Sequence, residues 1–181
     1  MNAVCRHTLS LASSLAIASV CFAPIHAQSV RIWTGAGTNA LASTPDNWSD
    51  AAAPVSGDSL IFDNAHFGNP WTNVTWNLNI QPASWIQTPA FSGTVTILTR
   101  YPGFGSFTTL VIAGNCVLSN GVWTHPANTG TNNATDRLAV RIEGDFFLAS
   151  NAIINVSERG FAAGRGPGAG PLRRLSRQPA G

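Results

Sequence analysis

The chain has 181 residues, of which 44% are hydrophobic and 10% charged, with no lysine and a formal net charge of +2. This length suits one domain with its own core, and so low a charge excludes a coiled coil and a highly charged disordered chain. Because neutralising phosphates requires clustered cations, the composition also argues against nucleic acid as a partner.

Residues 1–27 have the layout of a secretory signal peptide. Arg6 and His7 precede an apolar stretch at 9–22, and Ala27 offers a small residue before the cut. This stretch is shorter than the roughly 20 apolar residues that span a bilayer, and no later window is long enough. We therefore expect cleavage after Ala27 and a secreted or cell-surface chain without a membrane span.

Cysteine usage bears on the fold of the exported chain. Cys5 and Cys21 leave with the signal peptide, so Cys116 remains alone and forms no internal disulfide. A secreted domain without a bridge depends on core burial and backbone pairing, which favours a regular, ladder-rich fold. Cys116 itself is interpreted as a buried small hydrophobe, because no basic neighbour in sequence stabilises a thiolate.

Residues 28–57 are rich in small and polar side chains and contain Trp33 and Trp48. We interpret them as an N-terminal capping segment, because an uncovered solenoid end recruits other chains through its strand edges. An early Trp suits this role, since its ring covers a β-core while its N–H reaches a polar partner.

Residues 58–159 contain short runs rich in β-branched and aromatic residues, each ended by Gly, Asn, Pro or Asp, which is typical of strands bounded by turns. The predicted strands are 59–62, 74–80, 84–87, 94–99, 109–112, 116–118, 138–142, 146–148 and 152–156. In one of them Leu138, Val140 and Ile142 alternate with Ala, Arg and Glu, which predicts a buried face and an exposed one. Residues 125–136 lack large apolar side chains and predict a loop, a common place for binding.

A repeated unit connects these strands. Residues 110–118 and 140–148 share a branched strand, a Gly-polar turn and a second strand. Such units favour a β-solenoid, whose stacked coils align like residues and place Asn, Gly and Asp at the corners. The predicted fold class is therefore all-β, with a β-solenoid domain at 58–159; an antiparallel β-sandwich is the alternative.

Residues 160–181 form the predicted tail. Five glycines lie in 160–170 and three arginines in 171–181, so neither part is packed as a core strand. The abrupt change at Pro171 also motivates a different hypothesis, that the chain is a truncated or frameshifted product without a function of its own. A last coil left uncapped predicts self-association.

Several short motifs carry a family resemblance. They are Trp33-Thr34-Gly35, Asp46-Asn47-Trp48, Pro54, Gly57-Asp58, Leu60-Ile61-Phe62 and, before the glycine-rich stretch, Ile154-Asn155-Val156. Their order resembles secreted bacterial proteins built from autotransporter-associated β-strand repeats, over residues 30–170. This resemblance implies a right-handed parallel β-helix of the passenger type, part of a larger surface protein with an adhesin-like role.

The enzyme alternative is a polysaccharide lyase or glycoside hydrolase. Glu143 and Asp145 are its candidate carboxylates, since hydrolysis uses two carboxylates about 5–9.5 Å apart. They flank Gly144, however, and acidic residues beside a turn glycine are ordinary corner chemistry. Four tryptophans are candidates for an exposed face that stacks on carbohydrate. They are Trp71, Trp76, Trp85 and Trp123.

No cofactor or metal is predicted, because His66 and His125 are far apart and no metal-binding spacing is present. The expected partner is an extracellular polysaccharide or the cell envelope. The preferred hypothesis is a structural or adhesive solenoid without catalytic activity, and the alternatives are carbohydrate binding and polysaccharide degradation.

Overall fold

A computed structural model describes residues 28–63, 72–128 and 133–166. The predicted signal peptide, Trp71, His66 and residues 167–181 of the predicted tail lie outside these ranges. The described chain is all-β in class, and its helical content is one short 3-10 helix at Pro45–Asn47. Its strands are β1 (Val30–Trp33), β2 (Ser59–Phe62), β3 (Val74–Trp76), β4 (Ser84–Gln87), β5 (Thr94–Ile97), β6 (Leu110–Ile112), β7 (Cys116–Leu118), β8 (Gly121–Thr124), β9 (Val140–Ile142), β10 (Phe146–Leu148) and β11 (Ala152–Ile154).

The strands form three sheets, in the orders β1-β2-β4-β7-β10, β3-β5-β8-β11 and β6-β9. All pairings between these strands are parallel. In the first sheet the paired residues are Val30 with Ser59, Ser59 with Ser84, Trp85 with Cys116 and Cys116 with Phe146, so each coil contributes the next strand of the sheet. The chain is a β-solenoid of about four turns. The predicted solenoid is confirmed, and the antiparallel sandwich is wrong.

Alternate residues of each strand point inward and stack in columns between coils. One column of the first sheet contains Leu60, Trp85 and Cys116, and in the next the polar Gln87 lies between Phe62 and Leu118. All six are buried, and β3, β5, β6 and β8 add the other walls of a single core. Each short strand therefore buries one of its faces, and the stacking of the coils joins these faces into one continuous core.

The N-terminal end of the solenoid is closed. Trp48 lies opposite Trp33 in a segment antiparallel to β1, and the two indole rings meet edge to face with centroids 5.3 Å apart. The Trp48 Nε1–H donates to the Ala42 carbonyl at 2.8 Å. Residues 28–57 thus supply both the first strand of the solenoid and the residues that cover it.

A buried ion pair joins the first two coils. Arg31 points inward from β1, and its Nε donates to Oδ2 of Asp58 at 2.9 Å. Asp58 is fully buried and also accepts the backbone N–H groups of Ser29 and Val55, each at 3.1 Å. Arg31 makes a second ion pair with Asp50. These charges meet the general requirement that a buried charge be paired and hydrogen-bonded.

The predicted Gly-polar corners stack on one another. β6 pairs with β9 and β7 with β10, so the two repeated units lie in adjacent coils. The Asn115 side chain accepts the backbone N–H of Asp145 at 2.9 Å. A Cβ at Gly144 would lie 2.5 Å from that Asn115 oxygen, so the close approach of the coils requires glycine there.

The structure adds two strands that the sequence pattern did not predict, β1 and β8. β8 begins at Gly121, whose φ of +87° and preceding Asn are typical of a turn, yet it pairs with β5 and β11 inside a sheet. Predicted runs 74–80, 94–99 and 152–156 end sooner than expected, at Trp76, Ile97 and Ile154. In the described part of the chain no helix is long and apolar enough to cross a membrane.

Candidate functional site

The predicted carbohydrate-stacking tryptophans lie in the core. Trp76 and Trp85 are 0% exposed and Trp123 is 2% exposed. The rings of Trp76 and Trp123 meet that of Trp85 edge to face, at centroid distances of 4.8 and 5.4 Å. The hypothesis of an exposed stacking face is therefore wrong for these three residues. The alternation of each strand shows in the sequence which residues share a face with the Trp, and the stacking of the coils makes that face the buried one.

Glu143 and Asp145 lie at the corner between β9 and β10, where both are exposed. One Glu143 oxygen pairs with Arg141 at 2.9 Å, and the other accepts from Gln81 Nε2 at 3.1 Å. The backbone of Asp145 takes part in the corner stacking described above. Neither residue lines the groove or the cavity described below, so their surroundings are those of a stacked solenoid corner.

Cys116 is a core residue of β7, as predicted. Burial raises the pKa of its thiol to about 12, so the thiolate that would act as a nucleophile is scarce at neutral pH. Among the described residues no group of three His, Cys, Asp or Glu side chains is placed to hold a metal ion.

The C-terminal end of the solenoid contrasts with the closed N-terminal end. We call its inward-facing apolar residues the open end face: Val140, Ile142, Phe146, Leu148 and Ile154. Phe146, Leu148 and Ile154 are 45%, 44% and 42% exposed. They continue the core columns, because Phe146 pairs with Cys116, Leu148 with Leu118, and Ile154 with Trp123. A cavity of about 320 Å³ is lined by Val140, Ile142, Phe146 and Ile154 and reaches Trp123.

The second feature is a groove of about 350 Å³ beside that cavity, with which it shares Leu138. We call it the side groove, and define it by Tyr101, His125, Asn128, Arg137, Arg159 and Phe161. Two of these residues belong to the segment 125–136 that the sequence predicts as a binding loop. Arg137 directly follows that segment, whereas Tyr101, Arg159 and Phe161 come from other parts of the chain and join the groove only through the stacking of the coils.

Comparison of the chain with family models, curated proteins and solved structures finds no match. The likeness to autotransporter-associated repeats therefore depends on the sequence motifs alone.

Proposed function

We propose that this chain is a secreted or cell-surface structural β-solenoid without catalytic activity, which joins a second copy of itself through the open end face. The observation that carries the proposal is the contrast between the two ends. One end is closed by Trp48, and the other leaves continuing core columns half-exposed. Contiguous exposed apolar patches larger than a few hundred Å² mark interaction sites in soluble proteins.

A second copy is the occupant that fits best. β9, β10 and β11 are the edge strands of their sheets at this end, so their outer backbone groups are available to pair. The closed end of another copy is covered by its own capping segment, whereas no residue in the described ranges covers its open end face. Residues 167–181 contain two large apolar side chains, Leu172 and Leu175, among three arginines, which makes them a poor cover. A two-fold axis then sets identical faces against each other.

The export half of the proposal is tested on the full sequence in a bacterial host. We expect the intact mass to be that of a chain beginning at Gln28, because Ala27 supplies the small residue before the cleavage site. Substituting Ala27→Phe should block cleavage and leave a chain that still begins at Met1. Recovery of the unmodified chain with its signal segment still attached, in the exporting host, would contradict export through this signal.

The assembly half is tested by measuring the mass of the processed chain over a range of concentrations by analytical ultracentrifugation. We expect a monomer–dimer equilibrium that Ile154→Asn abolishes, because this substitution places a polar group in the interface. Ile153→Asn is the matched control, since Ile153 lies on the outer face of the same strand beside Val122. A monomer at all concentrations, growth beyond dimers, or equal effects of the two variants would each overturn the end-to-end pairing.

A further inference from the structure

The side groove is assembled around one buried side chain, Asn128. Its Oδ1 accepts the backbone N–H groups of Thr135 and Asp136, at 2.8 and 2.9 Å. Its Nδ2 donates to the Asp136 carbonyl at 2.7 Å, and its backbone N–H donates to the Arg159 carbonyl at 3.0 Å. The side chain and the backbone N–H of Asn128 thus connect this residue to residues 135–136 and to residue 159. The groove is held in shape before any ligand arrives, which lowers the entropic cost of binding.

The groove presents aromatic surface beside positive charge. Tyr101 is 40% exposed, and the Arg137 guanidinium lies 5.0 Å from the centroid of its ring. Arg137 is held there by donating from Nη2 to the Thr108 carbonyl at 3.0 Å. Phe161 contributes a second ring to the lining. Ring faces next to hydrogen-bond donors are suited to a sugar, which has an apolar face and a polar rim.

The charge of the groove is cationic. Its carboxylate, on Asp136, is already engaged by Arg100 Nε at 3.5 Å and by the Thr135 hydroxyl at 2.6 Å. Neither Arg137 nor Arg159 forms an ion pair within the described ranges. His125 adds little charge at neutral pH, because burial lowers its pKa and the Arg159 charge acts in the same direction. The guanidinium groups of Arg137 and Arg159 are therefore available to bind an anionic ligand.

We propose that the side groove binds a carboxylated saccharide, with the sugar ring against Tyr101 or Phe161 and its carboxylate on Arg137 and Arg159. Guanidinium groups match carboxylates in geometry and charge, and the volume is that of a small ligand site. That the natural ligand is a polymer outside the cell rests on the proposed function. Binding itself is a property of the purified chain and is tested separately.

The experiment is calorimetric titration of the processed chain with a trigalacturonate. The same trimer as its methyl ester is the matched ligand, because it keeps the rings and loses the charge. We expect the acid to bind about tenfold or more tightly than the ester, and Arg137→Gln or Arg159→Gln to weaken acid binding about tenfold each. Tyr101→Ala should weaken both ligands. Arg141→Gln is the control, since Arg141 faces outward from β9 and pairs with Glu143.

Thermal unfolding of each variant separates a damaged fold from a damaged site. Arg159→Gln is the decisive variant, because no side-chain hydrogen bond of Arg159 within the described residues is lost with it. Equal binding of acid and ester, absence of binding, or an unchanged affinity in folded Arg159→Gln would overturn the saccharide site. Dimerisation and export are each read from a mass measurement, so their failure is distinguished from a failure of saccharide binding, which is read from the titration.

Discussion

Replacing Trp85 by Ala is expected to lower the free energy of unfolding by about 3–5 kcal/mol, the usual cost of removing a large aromatic side chain from a core. Trp85 is fully buried at the centre of the aromatic cluster. Its ring stacks on Phe62 at a centroid distance of 4.5 Å and meets Trp76 and Trp123 edge to face. The substitution leaves a cavity that neighbours in adjacent coils cannot close, because each is fixed by its own strand pairing.

The measurement is chemical unfolding followed by tryptophan fluorescence and circular dichroism. Phe104→Ala is the control, since Phe104 is an aromatic residue exposed in a loop and its loss should cost less than about 1 kcal/mol. Equal losses from the two substitutions would contradict the stacked core.

Replacing Asp58 by Asn is expected to cost about 3–5 kcal/mol at neutral pH, because it leaves Arg31 buried without this partner. The other Arg31 partner, Asp50, is half-exposed and compensates only in part. Glu143→Gln is the matched control. It breaks the Arg141–Glu143 pair, whose side chains are 65% and 41% exposed, and should cost less than about 1 kcal/mol. Similar effects of the two substitutions would contradict a stabilising role for the buried pair.

The same carboxylate predicts a pH dependence. Burial by itself raises the pKa of Asp58, but hydrogen bonds from Val55, Arg31 and Ser29, with the Arg31 charge, outweigh it and lower the pKa below its ordinary value of 3.8. The ionised form is thus favoured by folding, so its stabilisation is complete above that value and is lost as the pH falls through the lower, folded pKa. In denaturant titrations, the difference in unfolding free energy between the parent chain and Asp58→Asn should therefore hold from neutral pH to about pH 4 and narrow as the pH falls further. A difference that does not narrow at acidic pH would contradict the assignment.

Because the two ends of the solenoid differ, substitutions that change its stability are expected to differ from those that change its assembly. Asp58 and Trp48 lie in the closed first coils, where polar and aromatic contacts complete the core. Ile154 and Phe146 lie in the last described coil, where the same columns continue and stay half-exposed. Core substitutions should therefore change unfolding, whereas Ile154→Asn should change mainly the mass in solution.

The sequence by itself determined that the chain is all-β, where most of its strands lie, and that 110–118 and 140–148 are one repeated unit. These features are local, because alternation of side chains and turn residues act within a few positions. The register of the coils and the pairing of β1 and β8 were decided by tertiary structure. The sequence around Gly121 predicts a turn, and only the pairing of β8 with β5 and β11 shows that a strand begins there.

The candidate binding residues could be placed from the sequence even less well than the strands, because their surroundings are set by the tertiary structure. A tryptophan in a short alternating strand is compatible with a core or with a sugar-binding face, and only stacking of the coils buried Trp76, Trp85 and Trp123. Of the groove residues, Asn128 and Arg137 are near each other in sequence, whereas Tyr101 and Arg159 are distant from both, and no spacing rule links the set. They meet because each coil returns the chain to the same side of the solenoid, which is a property of the whole fold.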